Sequence, residues 1–452
     1  MIIDAEKIEA LLKRPADIAL AREALKRAGA GSAITLEEAA ELLKCEDANV
    51  REGLLKTAAE VKQKIFGSRV VLFAPLYLSN YCTNGCLYCG FRSQNRGAQR
   101  TALTPEEAAN EAAALVAMGF KRVLLVTGED GRYSIDYITA CVRAIYENTG
   151  MRIVHLNAPP VDVEGLRALK ASGVGVYQSF QETYHRPTYA RMHPSGRKKD
   201  YDYRLAVMDR AFEAGFKDVG IGPLFGLYDY RFEVLATIAH SAHLCERFGA
   251  EAHTISLPRL RPAVSGLTQV PSPVSDAELK KITAVFRLAV PCAGLVVSTR
   301  ESAQLRGELL KVGASQISAA SRTNPGGYTH SEEKTLEQFS TDDNRSLAEV
   351  MGTIAAGGFL PSLCTTCYRV GRTGSDFMEK TTAGEMERLC HANAVLTLKE
   401  YLADHPGAVN GESGAVEKAL EKGIERVMEP ALKKALLEKL QQIEEGKRDL
   451  YF

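Results

Sequence analysis

Six of the ten cysteines fall into two tight groups. Cys82, Cys86 and Cys89 have the spacing C-x3-C-x2-C, and Cys364, Cys367 and Cys390 have the spacing C-x2-C-x22-C. Thiolates are soft ligands that suit zinc or iron–sulfur clusters. A structural zinc site closes with four ligands, and each group here offers three. Three thiolates on a four-iron cluster would leave one iron open to bind something else. Zinc remains the alternative reading at both places, as a loop with a remote fourth ligand at the first group. At the second it would be a knuckle completed by His391 or another residue. Cys45, Cys141, Cys245 and Cys292 stand singly. Such thiols are most often small core residues.

The elements that must position these groups follow from periodicity. Residues 1–68 read as helices, and Thr35 with Glu38 has capping-box spacing. From residue 69, short apolar runs alternate with longer helical segments. The expected strands are Arg69–Phe73, Arg122–Val126, Arg152–Leu156, Gly175–Gln178, Asp218–Ile221, His253–Ser256, Gly294–Ser298 and Gln316–Ser318. Eight such units predict an α/β fold, a (β/α)8 TIM-type barrel over 69–342. An open doubly wound sheet is the alternative. In the barrel, chemistry gathers at the C-terminal ends of the strands, and Cys82–Cys89 follow the first of them. After 342 the rhythm stops, and 343–452 reads as a helical tail domain that carries the second cysteine group. Cys390 is expected late in a helix.

Composition narrows the rest. The chain has 452 residues with 56 basic and 56 acidic side chains, so its formal net charge is zero. Neither a nucleic-acid partner nor a membrane partner is expected from that balance. The N-terminal segment lacks the basic cap and apolar run of a signal peptide, and no apolar stretch approaches the ~18 residues of a membrane span. The expected address is the cytoplasm, where structural disulfides are rare.

C-x3-C-x2-C just after the first strand of a (β/α) barrel resembles the radical SAM superfamily. The resemblance implies a [4Fe–4S] cluster on Cys82, Cys86 and Cys89 that chelates S-adenosylmethionine (SAM). Thr127-Gly128-Glu129-Asp130 resembles the motif that receives the SAM amine, so Gly128 and Glu129 are candidate binding residues. Val219-Gly220-Ile221-Gly222-Pro223-Leu224-Phe225-Gly226 resembles the ribose and adenine motif, which nominates Gly220, Gly222 and Leu224. Tyr88 is a candidate wall for the adenine, or else an aromatic plug.

The pairing of the two cysteine groups narrows the resemblance to the HydG family of tyrosine lyases, which mature [FeFe]-hydrogenase. Gln181–His185, His253–Ser256, Ser318–Tyr328 and above all Cys367–Gly374 carry it. It implies cleavage of the Cα–Cβ bond of L-tyrosine to p-cresol and dehydroglycine. It also implies a second, auxiliary [4Fe–4S] cluster on Cys364, Cys367 and Cys390, where the fragment gives carbon monoxide and cyanide. His253 would be a ligand of an additional labile iron there. Arg322 with Ser321 would clamp the substrate carboxylate, and Glu182 would touch SAM or the substrate amine. Arg259 and Arg261 would attract an anionic intermediate. An electron donor of flavodoxin or ferredoxin type and hydrogenase-assembly proteins are the implied partners. The alternative is a 2-iminoacetate (dehydroglycine) synthase of the ThiH kind, for thiamine thiazole biosynthesis. Leu257–Ala263 resembles that family at least as much.

Overall fold

The computed structural model describes residues 2–263, 266–329, 337–407 and 413–452. Eight parallel strands close on themselves in chain order: β1 (Arg69–Ser79), β2 (Arg122–Thr127), β3 (Ile153–Asn157), β4 (Val174–Gln178), β5 (Val219–Ile221), β6 (Thr254–Ser256), β7 (Gly294–Val297) and β8 (Gln316–Ser318). Pairing of β1 with both β8 and β2 makes the closure. The barrel is therefore the architecture, and the open sheet is excluded.

Local signals place the helices between the strands. Thr104 and Glu107 form a capping box before Pro105–Ala117, with Pro105 in the first turn, where its missing N–H costs nothing. Ser275 with Glu278 does the same for Asp276–Ala289. The N-terminal helices Ala5–Lys13, Ile18–Gly29, Leu36–Lys44 and Ala48–Phe66 lie outside the barrel, the last packed along Asp276–Ala289 and Ala303–Val312. The Thr35–Glu38 box is formed.

Two differences from expectation matter. β1 runs six residues beyond Phe73, through Pro75, to Ser79. Proline argues against a strand interior, but β1 has neighbours along its whole length. Val71–Phe73 pair with β8 and Ala74–Ser79 with β2. Its first residues, Arg69–Val71, pair with a ninth strand that periodicity did not reveal, β9 (Leu360–Ser362). A three-residue strand holding a proline has too little pattern to detect; its partner defines it. β9 thereby brings the tail to the N-terminal mouth of the barrel, opposite the mouth where Cys82–Cys89 lie. Among the described residues, no helix is long and apolar enough to cross a membrane.

Candidate active site

Small polar and apolar side chains on alternate strand positions leave the barrel lumen hollow. Phe73, Leu124, His155, Val176, Gln178, Thr254, Val296, Gln316 and Ser318 face a cavity of about 230 Å3. Ordinary barrels of this kind fill that space with layers of bulky aliphatic residues. Here the upper mouth is formed by the cysteine loop, and the floor reaches Arg122 and Tyr368.

The loop Cys82–Cys89 is tied on two sides. Thr83 N donates to Glu129 O at 2.8 Å, and Asn84 Nδ2 donates to Glu129 Oε2 at 2.6 Å. Gly85 N donates to Ser195 O and Leu87 N to Met192 O, both at 3.1 Å. A Cβ on Gly128 would lie 2.2 Å from Tyr81 O, so only glycine lets the end of β2 approach the loop this closely. A Cβ on Gly220 would lie 2.6 Å from both Gln178 Cγ and Thr254 Oγ1, and one on Gly222 would lie 2.6 Å from Ser256 O. These glycines keep the wall at β4–β6 flat. Leu224 lines the cavity beside them, its N–H held by Glu182 O at 2.7 Å. Tyr88 is buried among Cys86, Met192, Leu224, Leu227 and Leu260, and its hydroxyl lies 2.8 Å from His193 Nε2. It also borders the cavity, so it is at once a plug and a wall. His193 Nδ1 sits 2.8 Å from Tyr189 O, and burial lowers its pKa to about 3, so the ring is a neutral acceptor.

Glu182 adopts a left-handed backbone, φ 70°, which a non-glycine residue enters at a cost of about 1–2 kcal/mol. Its neighbours over-determine that turn: Thr183 Oγ1 and Tyr184 N both donate to the buried Glu233. The Glu182 carboxylate meets Lys198 Nζ at 2.7 Å. Burial pushes its pKa up, but the charges of Lys198 and Arg204 outweigh that and hold the carboxyl below its ordinary value. Lys198 and Arg204 both border the cavity, and sequence reasoning missed them. They sit in helical segments after β4, Lys198 in the run Arg197-Lys198-Lys199, where cations look like a solvated face.

The second left-handed residue outside glycine in this region is Ala320, φ 49°, just after β8. Beyond it, Ser321 and Thr323 line the cavity, while Arg322 between them does not. Near the end of β7, Arg300 is the guanidinium that lines the lumen on this side, with Arg204 and Arg122 bordering it elsewhere. It stacks over the Phe339 ring at 3.3 Å and has no carboxylate within ion-pair distance among the described residues. Burial lowers its pKa, yet an arginine stays charged. A Thr-Arg-Glu run after a strand gives no period or spacing that would single it out. Arg259 and Arg261 are not free to attract an anion. Arg259 Nε lies 3.1 Å from Glu301 and its Nη1 lies 2.8 Å from Asp276, while Arg261 pairs with Glu301 at 3.2 Å and Asp342 at 2.8 Å.

The second cysteine group surrounds a smaller cavity of about 50 Å3 under the floor of the lumen. Cys364 follows β9, and its carbonyl accepts from Arg122 Nη2 at 2.8 Å. Cys367 lies in the short helix Thr366–Arg369. Cys390 is early, not late, in the helix Glu385–Asp404, because Gly384 (φ 77°) breaks the preceding helix Ser375–Thr382. The close interaction of Cys367 with Cys390 holds the Cys390 thiol below its ordinary value and pushes the Cys367 thiol up. Arg69 and Arg122 line the same cavity and offset thiolate charge. His391, the candidate zinc ligand, is committed elsewhere: its Nε2 sits 2.8 Å from Gly423 O.

Tyr368, Arg122 and Gln316 border both cavities. They form the partition between lumen and tail. The Tyr368 ring meets His155 edge-on at 4.7 Å between centroids and His253 at 5.7 Å. His253 precedes β6, lines the tail cavity and is nearly fully buried.

Cys82, Cys86 and Cys89 border the lumen, and Cys364, Cys367 and Cys390 border the tail cavity, so each site offers three soft thiols of the kind that suit an iron–sulfur cluster.

Comparison with known proteins agrees. Residues 76–239 match the Radical SAM superfamily, and 256–360 match the Biotin and Thiamin Synthesis associated domain. The chain is 34% identical to 2-iminoacetate synthase of Escherichia coli (strain K12) over 339 residues, 75% of this chain and 89% of that one. It superposes on the crystal structure of HydG, a maturase of the [FeFe]-hydrogenase, with a TM-score of 0.96 at 45% identity, covering 100% of both chains. HydG from Carboxydothermus hydrogenoformans gives 0.82 at 35% identity, covering 97% of this chain and 100% of that one. The chain thus belongs to the radical SAM superfamily, in the group that holds 2-iminoacetate synthase and HydG, and takes SAM and a [4Fe–4S] cluster as cofactors.

Proposed function

We propose that this chain is a tyrosine lyase that breaks the Cα–Cβ bond of L-tyrosine. The products are p-cresol and dehydroglycine, and the latter is converted in the tail to carbon monoxide and cyanide for the [FeFe]-hydrogenase cofactor. One observation carries the reading: two three-cysteine cavities lie at opposite ends of a single lumen, separated by one layer of side chains. The segment 69–342 supplies the first site, and the tail from 343 supplies the second.

With SAM bound at the Cys82–Cys86–Cys89 cluster, reductive cleavage provides a 5′-deoxyadenosyl radical able to take a hydrogen atom from the tyrosine amine. The chain's own residues do the rest. Gly128 lets the end of β2 close against the cysteine loop, and Glu129, held by Asn84, presents a carboxylate to the SAM ammonium. Gly220, Gly222 and Leu224 make the flat strip for ribose and adenine, with Tyr88 closing the wall. Glu182, pinned by Lys198, faces the lumen as a fixed acceptor for an amine. The substrate carboxylate lies at the ends of β7 and β8, where Arg300 and Ser321 line the lumen, with Arg322 next in the chain to Ser321. The lumen excludes water from the radical. The two-carbon fragment, C2H3NO2, holds the atoms of one CO, one HCN and one water. Cys364, Cys367 and Cys390 hold the auxiliary cluster, and His253 takes the labile iron beside it. The reducing partner is a one-electron donor of flavodoxin or ferredoxin type, and the products pass to hydrogenase-assembly proteins.

The similarity to 2-iminoacetate synthase favours a second reading, in which dehydroglycine is the final product. Anaerobic protein with both clusters, given SAM, tyrosine and dithionite, separates the two. The first reading expects p-cresol and carbon monoxide together, with carbon monoxide alone lost in Cys364→Ala/Cys367→Ala. p-Cresol without carbon monoxide in both proteins sinks it in favour of the second. Intact SAM and no p-cresol sinks both.

A further inference from the structure

His253 has both ring nitrogens facing a polar group. On one side, Nδ1 lies 3.3 Å from Asp218 Oδ1, near enough for an ion pair but without a hydrogen bond. On the other, Nε2 lies 2.8 Å from the Tyr368 hydroxyl. Asp218 immediately precedes β5, is 1% exposed, and accepts from Gly374 N at 2.9 Å. Its second oxygen, Oδ2, has no partner, and among the described residues His253 is its sole partner within ion-pair distance. Lys170 lies close enough to feel its charge but makes no ion pair with it. A buried carboxylate without a fixed cation is costly. The direction from which positive charge can reach it is through the imidazole.

Asp218 Oδ2 and His253 Nδ1 are both buried without a hydrogen-bond partner, and a small turn of the ring would satisfy both. A carboxylate accepts and never donates, so a proton on Nδ1 is the state that this pairing favours, and it leaves the Nε2 lone pair toward the tyrosine hydroxyl. Metal-bound histidines are oriented in the same way, by a carboxylate on the nitrogen away from the metal. Tyr368 follows Cys367 directly in the chain, so the hydroxyl at Nε2 is tied to the cysteine segment.

Resting on the reading of His253 as the ligand of the labile iron, we propose that Asp218 and Tyr368 are its positioning residues. Asp218 holds the Nδ1 proton so that Nε2 is the nitrogen offered to iron. Tyr368 keeps Nε2 covered, and the partition beneath the lumen in place, until iron takes that nitrogen. A merely structural role for both contacts would predict no effect on metal affinity.

The test uses the full chain with both clusters in place, freed of labile iron by a mild chelator and titrated anaerobically with ferrous ion alone. Mössbauer spectroscopy with 57Fe reads the high-spin ferrous component, and acid-labile sulfide and thermal melting confirm intact clusters and fold. Asp218→Asn is expected to weaken ferrous binding about 10- to 100-fold. Tyr368→Phe is expected to tighten it severalfold, since no hydroxyl competes for Nε2. Native affinity in both variants, with binding lost in His253→Ala, would overturn the positioning roles and leave the ligand reading intact. Native affinity in His253→Ala would overturn the ligand reading and the proposal together. If Asp218→Asn melts early, the Tyr368→Phe arm decides alone.

Discussion

Arg300 and Arg322 differ by where a turn leaves them. Arg300 follows β7, borders the lumen, lies over the Phe339 ring and donates to Arg259 O, with Glu182 and Glu301 near enough to act on its charge. Arg322 lies between two lumen-facing residues and donates weakly to Ser321 O at 3.5 Å. A lumen guanidinium outside any ion pair among the described residues is suited to an anionic substrate. Arg300→Lys keeps the charge but loses the fork. It is expected to raise the KM for tyrosine about 10-fold or more, on the order of one bidentate contact. SAM cleavage in the absence of tyrosine should be unchanged. Arg322→Lys is expected to have the smaller effect; a larger effect from Arg322 than from Arg300 in steady-state assays would reverse the assignment. The two cysteine groups stand out from spacing alone, and the structure places each around a cavity. Arg300, Lys198 and Arg204 do not stand out, because a single cation in a run gives no pattern until strands bring it to a cavity.

At the scale of elements, close approaches decide the upper mouth. The end of β2 can touch the cysteine loop because Gly128 carries no side chain. Gly128→Ala would push Tyr81 and Cys82 away from the end of β2 and is expected to lower SAM cleavage at least about tenfold, together with a loss of iron from the first cluster. Iron analysis and 5′-deoxyadenosine release measure both. The strap after β4 depends on Glu233, whose carboxyl burial pushes up to about 8. An acid with its folded pKa above its unfolded value binds its proton more tightly when folded. Its contribution is therefore full below the ordinary pKa of 4.5 and is lost as pH rises toward about 8. Melting temperature should fall across that window in the native chain. Glu233→Gln should flatten the fall, and equal slopes in both proteins would refute the burial argument. The capping boxes at Thr35, Thr104 and Ser275 were readable in advance because they are local. β9 was not, since three residues acquire strand geometry from β1.

At the scale of the whole molecule, the tail is built into the barrel. β9 extends its sheet, and the final residues brace the short helix that carries Cys367. Arg369 makes two 2.6 Å bonds to Asp449, and Arg372 donates to Phe452 O at 2.9 Å. Asp449 also meets Arg152 at 3.0 Å, which ties the brace to β3. Asp449→Ala is expected to lower iron at the auxiliary cluster and to reduce carbon monoxide severalfold relative to p-cresol. The ratio of the two products reads this directly. An unchanged ratio would mean that β9 and Arg122 hold the tail cavity without the brace.

Residue type and spacing by themselves singled out the two cysteine groups, the count of eight barrel strands and the helix starts. These are properties of near neighbours along the chain. A group of closely spaced thiols stands out, and a βα period repeats often enough to count. Only the tertiary structure decided that the two cysteine groups lie on either side of one partition, that Tyr368 forms part of it, and that Arg300 lines the lumen while His253 lines the tail cavity. Those facts depend on contacts between residues far apart in the chain, such as Arg122 with Cys364 and Asp218 with His253. Closure of the barrel creates such contacts, and no local pattern encodes them.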